Sequence, residues 1–144
     1  MSTEIIFDFP EIPISVNKLY FSRGGRKILS AAGRRFKNKF LAERGGAAVK
    51  DLASFVPNPE ARYKIDLTFF LTEGRLYNTT YGKDKRVKSP YKDIDVSNMI
   101  KLVEDCVAAL TGVRDRNNFI VHSQKVEAPS DGVLVRYTQL GEIE

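Results

Sequence analysis

Cysteine and histidine are almost missing from this sequence, at one each in 144 residues. The lone cysteine, Cys106, excludes a disulfide framework and any cysteine-based zinc site. It falls on the apolar side of a helical pattern and is read as a small core residue. The lone histidine, His122, falls in a strand-like stretch. Together these counts remove most histidine-based chemistry and point to a cytoplasmic protein. Also missing is any run approaching the roughly 18 apolar residues of a membrane-spanning helix, so no membrane association is expected. The opening "MSTEIIFDFP" lacks the basic n-region of a signal peptide and alternates like a strand.

What is present suits one ordinary domain over residues 1–144, long enough for a hydrophobic core without staples. Hydrophobic residues make up 42% and charged residues 28%, so neither disorder nor a fibrous chain is indicated. The net charge of +5 favours anionic partners such as nucleic acid.

Hydrophobic patterning predicts interspersed strands and helices, an α+β class. Glu4–Phe9 alternates as a strand. The proline-bearing stretch after it reads as irregular or as an edge segment, with a turn at Gly24-Gly25 and a short strand at "KIL". Ser30 is a fitting N-cap for a helix that buries Phe36, Phe40 and Leu52 on one side, with Gly45-Gly46 kinking or splitting it. Arg62–Leu71 reads as a central strand. Thr72–Lys92 is a long polar loop, either without regular structure or a protruding hairpin. From Ser97 to about Leu110, Met99, Val103, Cys106, Val107 and Leu110 repeat at helical spacing, with Gly112 as the stop. "NFIVHSQKVEA" and "GVLVRYTQL" are two further strands, joined at the turn signal "PSDG".

The positive charge is unevenly placed. Ser22–Lys50 holds nine Lys/Arg against one acid, Glu43, and Thr72–Lys92 holds six against Glu73 and Asp84. Such segments are either solvated surface or a phosphate-binding footprint that gains affinity by counterion release. Tyr77, Tyr81 and Tyr91 interleave with the second segment and could stack on bases.

Against this basic background, "YKDIDVSNMIKLVEDCVAAL" concentrates carboxylates where a loop enters the helix. Capping accounts for Asp95 or Ser97 alone. It does not account for Asn98, Lys101 and Asp105, which lie at i, i+3 and i+7 on one helical face. A Lys101–Asp105 pair in that order adds only about 0.2–0.5 kcal/mol. Beyond the helix, "GVRDRNNF" offers Asp115 between Arg114 and Arg116. Carboxylates are the ligands a hard magnesium ion takes, and a nearby lysine stabilises charge on a phosphate undergoing hydrolysis. No histidine, cysteine or small-molecule cofactor is required by that chemistry.

"PISVNKLYFSRGGRKILSAAGRRFK" followed by "DIDVSNMIKLVEDCVAALTGV" resembles the RusA-type Holliday junction resolvases common in prophages. That family carries an Asn-aromatic element and S-x-x-G before a helix, then D-x-D-N-x-x-K-x-x-x-D-A-L and an acidic pair. The resemblance spans nearly the whole chain. It implies a single-domain, two-layer sheet-and-helix fold with a mixed β-sheet and two main helices. It also implies a magnesium-dependent endonuclease, with manganese as a possible substitute, that resolves four-way and other branched DNA as a homodimer. Lys101, Asp105 and Asn98 match the family's lysine, later aspartate and asparagine. The acids three residues and one residue before that asparagine fall on Asp95 and Ser97, so Asp93 stands in for the second. Ungapped counting puts Asn117 at the last catalytic acid, and Asp115 serves there with a local shift. The resemblance therefore implies Asp93, Asp95 and Asp115 as metal ligands and Lys101 as the transition-state cation. Asn98, Asp105 and Asn117 would support them. Lys18, Arg23, Arg26, Lys27, Arg34, Arg35, Lys83, Lys85, Arg86 and Lys88 would grip the DNA backbone. Two other readings remain open: a junction-binding module with weakened or lost catalysis, favoured by Ser97 and Asn117, and a small basic domain that binds another protein.

Overall fold

The computed structural model describes residues 2–13, 19–92 and 96–141. In chain order the elements are β1 (Glu4–Phe9), β2 (Tyr20–Arg23), β3 (Arg26–Leu29), α1 (Ala31–Ala42), a 3-10 turn (Arg44–Gly46), α2 (Val49–Ser54), β4 (Tyr63–Leu71), α3 (Glu73–Leu76), α4 (Val96–Thr111), a second 3-10 turn (Asp115–Asn117), β5 (Asn118–Glu127) and β6 (Gly132–Gln139). The class is α+β: a four-stranded mixed sheet packed against two main helices, with a separate two-stranded ribbon.

Alternation builds the sheet. Ile5, Phe7 and Phe9 of β1, then Tyr63, Ile65, Leu67, Phe69 and Leu71 of β4, then Val133, Val135 and Tyr137 of β6 all turn to one buried face. A period of two is what a sheet covered on one side demands. The strand order is β1-β6-β4-β5, antiparallel except for the parallel β4–β5 pair. A parallel pair needs a crossover, and α4 supplies it. Met99, Leu102, Val103, Cys106 and Val107 of α4 share one core with the sheet. Leu102 belongs to this stripe although the sequence spacing did not single it out.

The turn before Gly132 exists, but it does not join neighbours. β4 lies between β5 and β6, and β5 pairs with β4 in parallel. Burial decides this. β6 carries three fully buried apolar residues suited to a central strand, whereas β5 is exposed at most positions and suits an edge. Phe119, Ile120 and Val121 are the exposed apolar residues of that edge strand.

Ser30 caps α1, its hydroxyl accepting from the Gly33 amide at 3.2 Å. Phe36 and Phe40 pack on Phe9, with ring centroids 5.4 and 4.9 Å away. Leu52 reaches the same core from α2 rather than α1, because the chain breaks where Gly45 and Gly46 take φ of 60° and 80°. At Gly46 a Cβ would stand 2.0 Å from the Asp8 carbonyl oxygen, so the break presses directly on the outer edge of β1.

The stretch read as irregular or as an edge segment contains one strand more than the short one expected at "KIL". Tyr20–Arg23 pairs with Arg26–Leu29, and both turn glycines have positive φ (59° and 79°), the geometry that tight hairpins favour. Within Thr72–Lys92, one helical turn, α3, precedes a protruding loop closed at its base. There Tyr77 bridges to Tyr91, and the Asn78 side-chain amide donates to the Ser89 and Tyr91 carbonyls. Among the described residues no helix is long and apolar enough to cross a membrane.

Candidate functional site

The polar face of α4 is where the described candidate residues converge. Lys101 is exposed, while Glu104 and Asp105 are half-buried. The β2–β3 ribbon packs beside them through Tyr20. The Tyr20 hydroxyl donates to Asp105 Oδ2 over a long 3.5 Å, and its ring lies 5.6 Å from Lys101 Nζ. Partial burial and the adjacent Asp105 carboxylate push the Tyr20 phenol up to about 12.

Glu104 is held from the other side. Asn118 Nδ2 donates to Glu104 Oε2 at 2.7 Å, and the Tyr137 hydroxyl donates to Asn118 Oδ1 at 2.8 Å. Burial raises the Glu104 carboxyl, the Asn118 hydrogen bond works against that rise, and the charges of Asp115 and Asp105 add to it. Burial also raises Asp105. Lys37 of α1 and Lys101 oppose the shift, and Asp115 reinforces it. Asp115, on the 3-10 turn after the helix, thus acts on both acids through its charge, without a hydrogen bond to either.

Asp93 and Asp95, the first two proposed metal ligands, lie outside the described residues, as does Lys18. Among the described residues no group of three His, Cys, Asp or Glu could hold a metal ion. Asn117 has a structural occupation: its Nδ2 donates to the carbonyls of Pro59 (2.8 Å) and Ala61 (2.9 Å), tying the loop before β4 to the turn before β5. Asn98 is half-buried at the start of the same helical face. Cys106 is fully buried, and burial pushes its thiol up to about 12, which fits a core residue.

The cationic residues fall into two exposed groups. Arg23, Arg26 and Lys27 stand at the tip of the ribbon, with Arg34 and Arg35 on the adjoining helix. Arg34 also donates to the Leu29 carbonyl at 2.9 Å. Lys83, Lys85 and Lys88 project from the loop that leads toward α4. Arg86 differs from them. Its guanidinium forks onto Asp84 at 3.1 and 3.0 Å, and this holds the Asp84 carboxyl below its usual range.

Sequence reasoning missed Tyr20, Lys37 and Glu104 as members of this site. Glu104 had a signal, being half of an acidic pair on a polar helix face. Tyr20 and Lys37 join only through the packing of the ribbon and α1 against α4. No family model matches the chain, and no curated protein matches it.

Proposed function

We propose that this chain is a RusA-like, magnesium-dependent endonuclease that nicks branched DNA, four-way junctions above all, as a homodimer. The observation that carries the proposal is the polar face of α4. There Lys101, Asp105 and the field of Asp115 meet beside a ribbon tipped with Arg23, Arg26 and Lys27. Cations would hold the DNA backbone while carboxylates hold the ion, which reconciles an acidic cluster with a basic chain.

The donor set is all carboxylate and fits a hard cation better than a soft one. Asp115 would hold the ion together with Asp93 and Asp95, since the described acids alone do not make a three-ligand group. A bound ion of this kind polarises the phosphate and lowers the pKa of water. Lys101, exposed one turn into the helix, stabilises the negative charge that grows on the phosphate oxygens. Asp105 and Glu104 keep the field around that ammonium negative, and Asn98 sits on the same face. Lys83, Lys85 and Lys88 contribute phosphate contacts. For the homodimer, the edge strand β5, with Phe119, Ile120 and Val121 exposed, offers one apolar surface, β1 being the other edge of the sheet.

The test is nicking of a synthetic four-way junction against linear duplex of the same sequence, with magnesium or manganese. Junction cleavage that Asp95→Asn abolishes while junction binding persists supports the proposal. Equal cleavage of both substrates defeats structure selectivity. Junction binding without cleavage under either ion supports the second reading, a junction-binding module, which the structural use of Asn117 favours.

A further inference from the structure

Lys101 and Asp105 stand at i and i+4 on α4, the spacing at which a lysine and a carboxylate ordinarily pair. Among the described residues they form no ion pair. What each touches instead is the same side chain. Lys101 Nζ faces the Tyr20 ring at 5.6 Å, and Asp105 Oδ2 accepts from the Tyr20 hydroxyl at 3.5 Å. We infer that Tyr20 is a positioning residue that acts as a spacer: lodged between lysine and aspartate, it keeps the Lys101 ammonium from collapsing onto Asp105 and leaves it available to a phosphate.

The chemistry of the phenol suits this task. Its ring face attracts the ammonium without neutralising it, so the cation keeps its charge and its donors. Its hydroxyl occupies the carboxylate oxygen that the lysine would otherwise take. A carboxylate in that place would lock the ammonium into a pair, and a cation so engaged gives less to a developing phosphate charge. Tyr20 belongs to the ribbon whose tip carries Arg23 and Arg26, paired across the turn. Leu19, fully buried beside it, fixes the ribbon root in the core. The spacer is therefore held by a different element from the two groups it separates, and a helix alone cannot reproduce the arrangement. Lys37 of α1 acts on Asp105 from outside this trio and remains in place in every variant below.

The inference rests on the nuclease reading for its consequence but not for its geometry, and two measurements keep them apart. The first is the Asp105 carboxyl titration, followed by carbon-13 NMR in the intact protein. Tyr20→Phe and Tyr20→Leu both lose the phenol hydrogen bond that holds the Asp105 pKa down, but only Tyr20→Leu lets the lysine close onto Asp105, so the Asp105 pKa should be lower in Tyr20→Leu than in Tyr20→Phe. Equal titrations in the two variants would overturn the spacer whatever the enzyme does. The second is junction nicking. Tyr20→Leu should lower kcat at least tenfold with KM within about threefold, and Tyr20→Phe, which keeps the ring, should lose much less. Adding Asp105→Asn to Tyr20→Leu should recover part of the lost rate, a rescue that a merely structural tyrosine would not permit. Absence of that rescue, or equal losses for Phe and Leu, would count against the spacer. If wild type does not nick at all, the nuclease reading fails while the titration still decides the spacer. Should Tyr20→Leu not fold, Tyr20→Met carries the same comparison.

Discussion

Replacing Lys101 by alanine separates a catalytic lysine from a structural one. The structural loss is small and can be bounded. The contact removed is the approach to the Tyr20 ring at 5.6 Å, on an exposed side chain. Such a contact is worth about 0.5–1 kcal/mol. Alanine returns a few tenths of this through its higher helix propensity. The net destabilisation is therefore below about 1 kcal/mol, which for a domain of this size lowers Tm by no more than about 4 °C. Junction affinity should fall only several-fold, one phosphate contact being lost among many. The nicking rate should fall about a hundredfold or more, close to 2.7 kcal/mol of transition-state stabilisation. Single-turnover nicking of a four-way junction at saturating enzyme, with a thermal melt and a gel shift on the same preparation, measures all three. Lys101→Arg keeps the charge but spreads it over a planar fork, and should fall between the two. A Lys101→Ala protein that nicks at the wild-type rate would refute the assignment and, with it, the reading of "DIDVSNMIK" as an active site.

Glu104→Gln tests the field on α4 through stability. Burial raises the Glu104 carboxyl in the folded state, so that state holds its proton more tightly than the unfolded chain, and stability is lost as pH climbs above about 4. The amide keeps an oxygen for Asn118 without the charge, so the variant should melt above wild type at pH 7, with the gain shrinking toward pH 4; a lower melt at pH 7 would contradict this. Neutralising Lys83, Lys85 and Lys88 together should flatten the log–log salt dependence of junction binding by up to about 2.7, near 0.9 per phosphate contact. Arg86→Ala should barely move it because Asp84 already holds that guanidinium, and an unchanged slope for the triple variant would mark the loop as solvated surface. Gly46→Ala should cost about 3 kcal/mol or more and lower Tm by about 10 °C, because it combines positive φ with a Cβ driven into the Asp8 carbonyl. A melt within a few degrees of wild type would show that the β1 edge gives way.

Most elements were legible because their patterns are local. The Ser30 cap, the split at Gly45-Gly46, the alternation of Tyr63–Leu71 and the apolar stripe of α4 each rest on residues within a few positions of one another. Strand neighbours were not legible. The turn before Gly132 looks the same whether it joins adjacent strands or steps over a third, and only the burial of Val133, Val135 and Tyr137 between β1 and β4 decides it. The site divides in the same way. Lys101 and Asp105 follow from helical spacing, and Asp115 from its place just past the helix. Tyr20 lies 85 residues from Asp105 in sequence, and no spacing rule links them. Counting from Gly112 could not show the use Asn117 has in the fold, where its side-chain amide ties two loops together.

The placement of β6 has a consequence for how the chain acquires its structure. The strand between β1 and β4 is the one synthesised after both, so Glu4 meets Thr138 across nearly the whole length of the sequence. Until Gln139 has been made, β1 has no partner in the sheet and one edge of β4 stays open. The helix-crossed β4–α4–β5 unit is complete earlier and can gather first, while the ladder that closes the sheet waits for the last strand. Such long-range pairing carries a large loop-closure cost and slows folding. The backbone edges of β1 and β4 that β6 later pairs stay open during that interval, which makes it the stage at which the chain is most prone to aggregate.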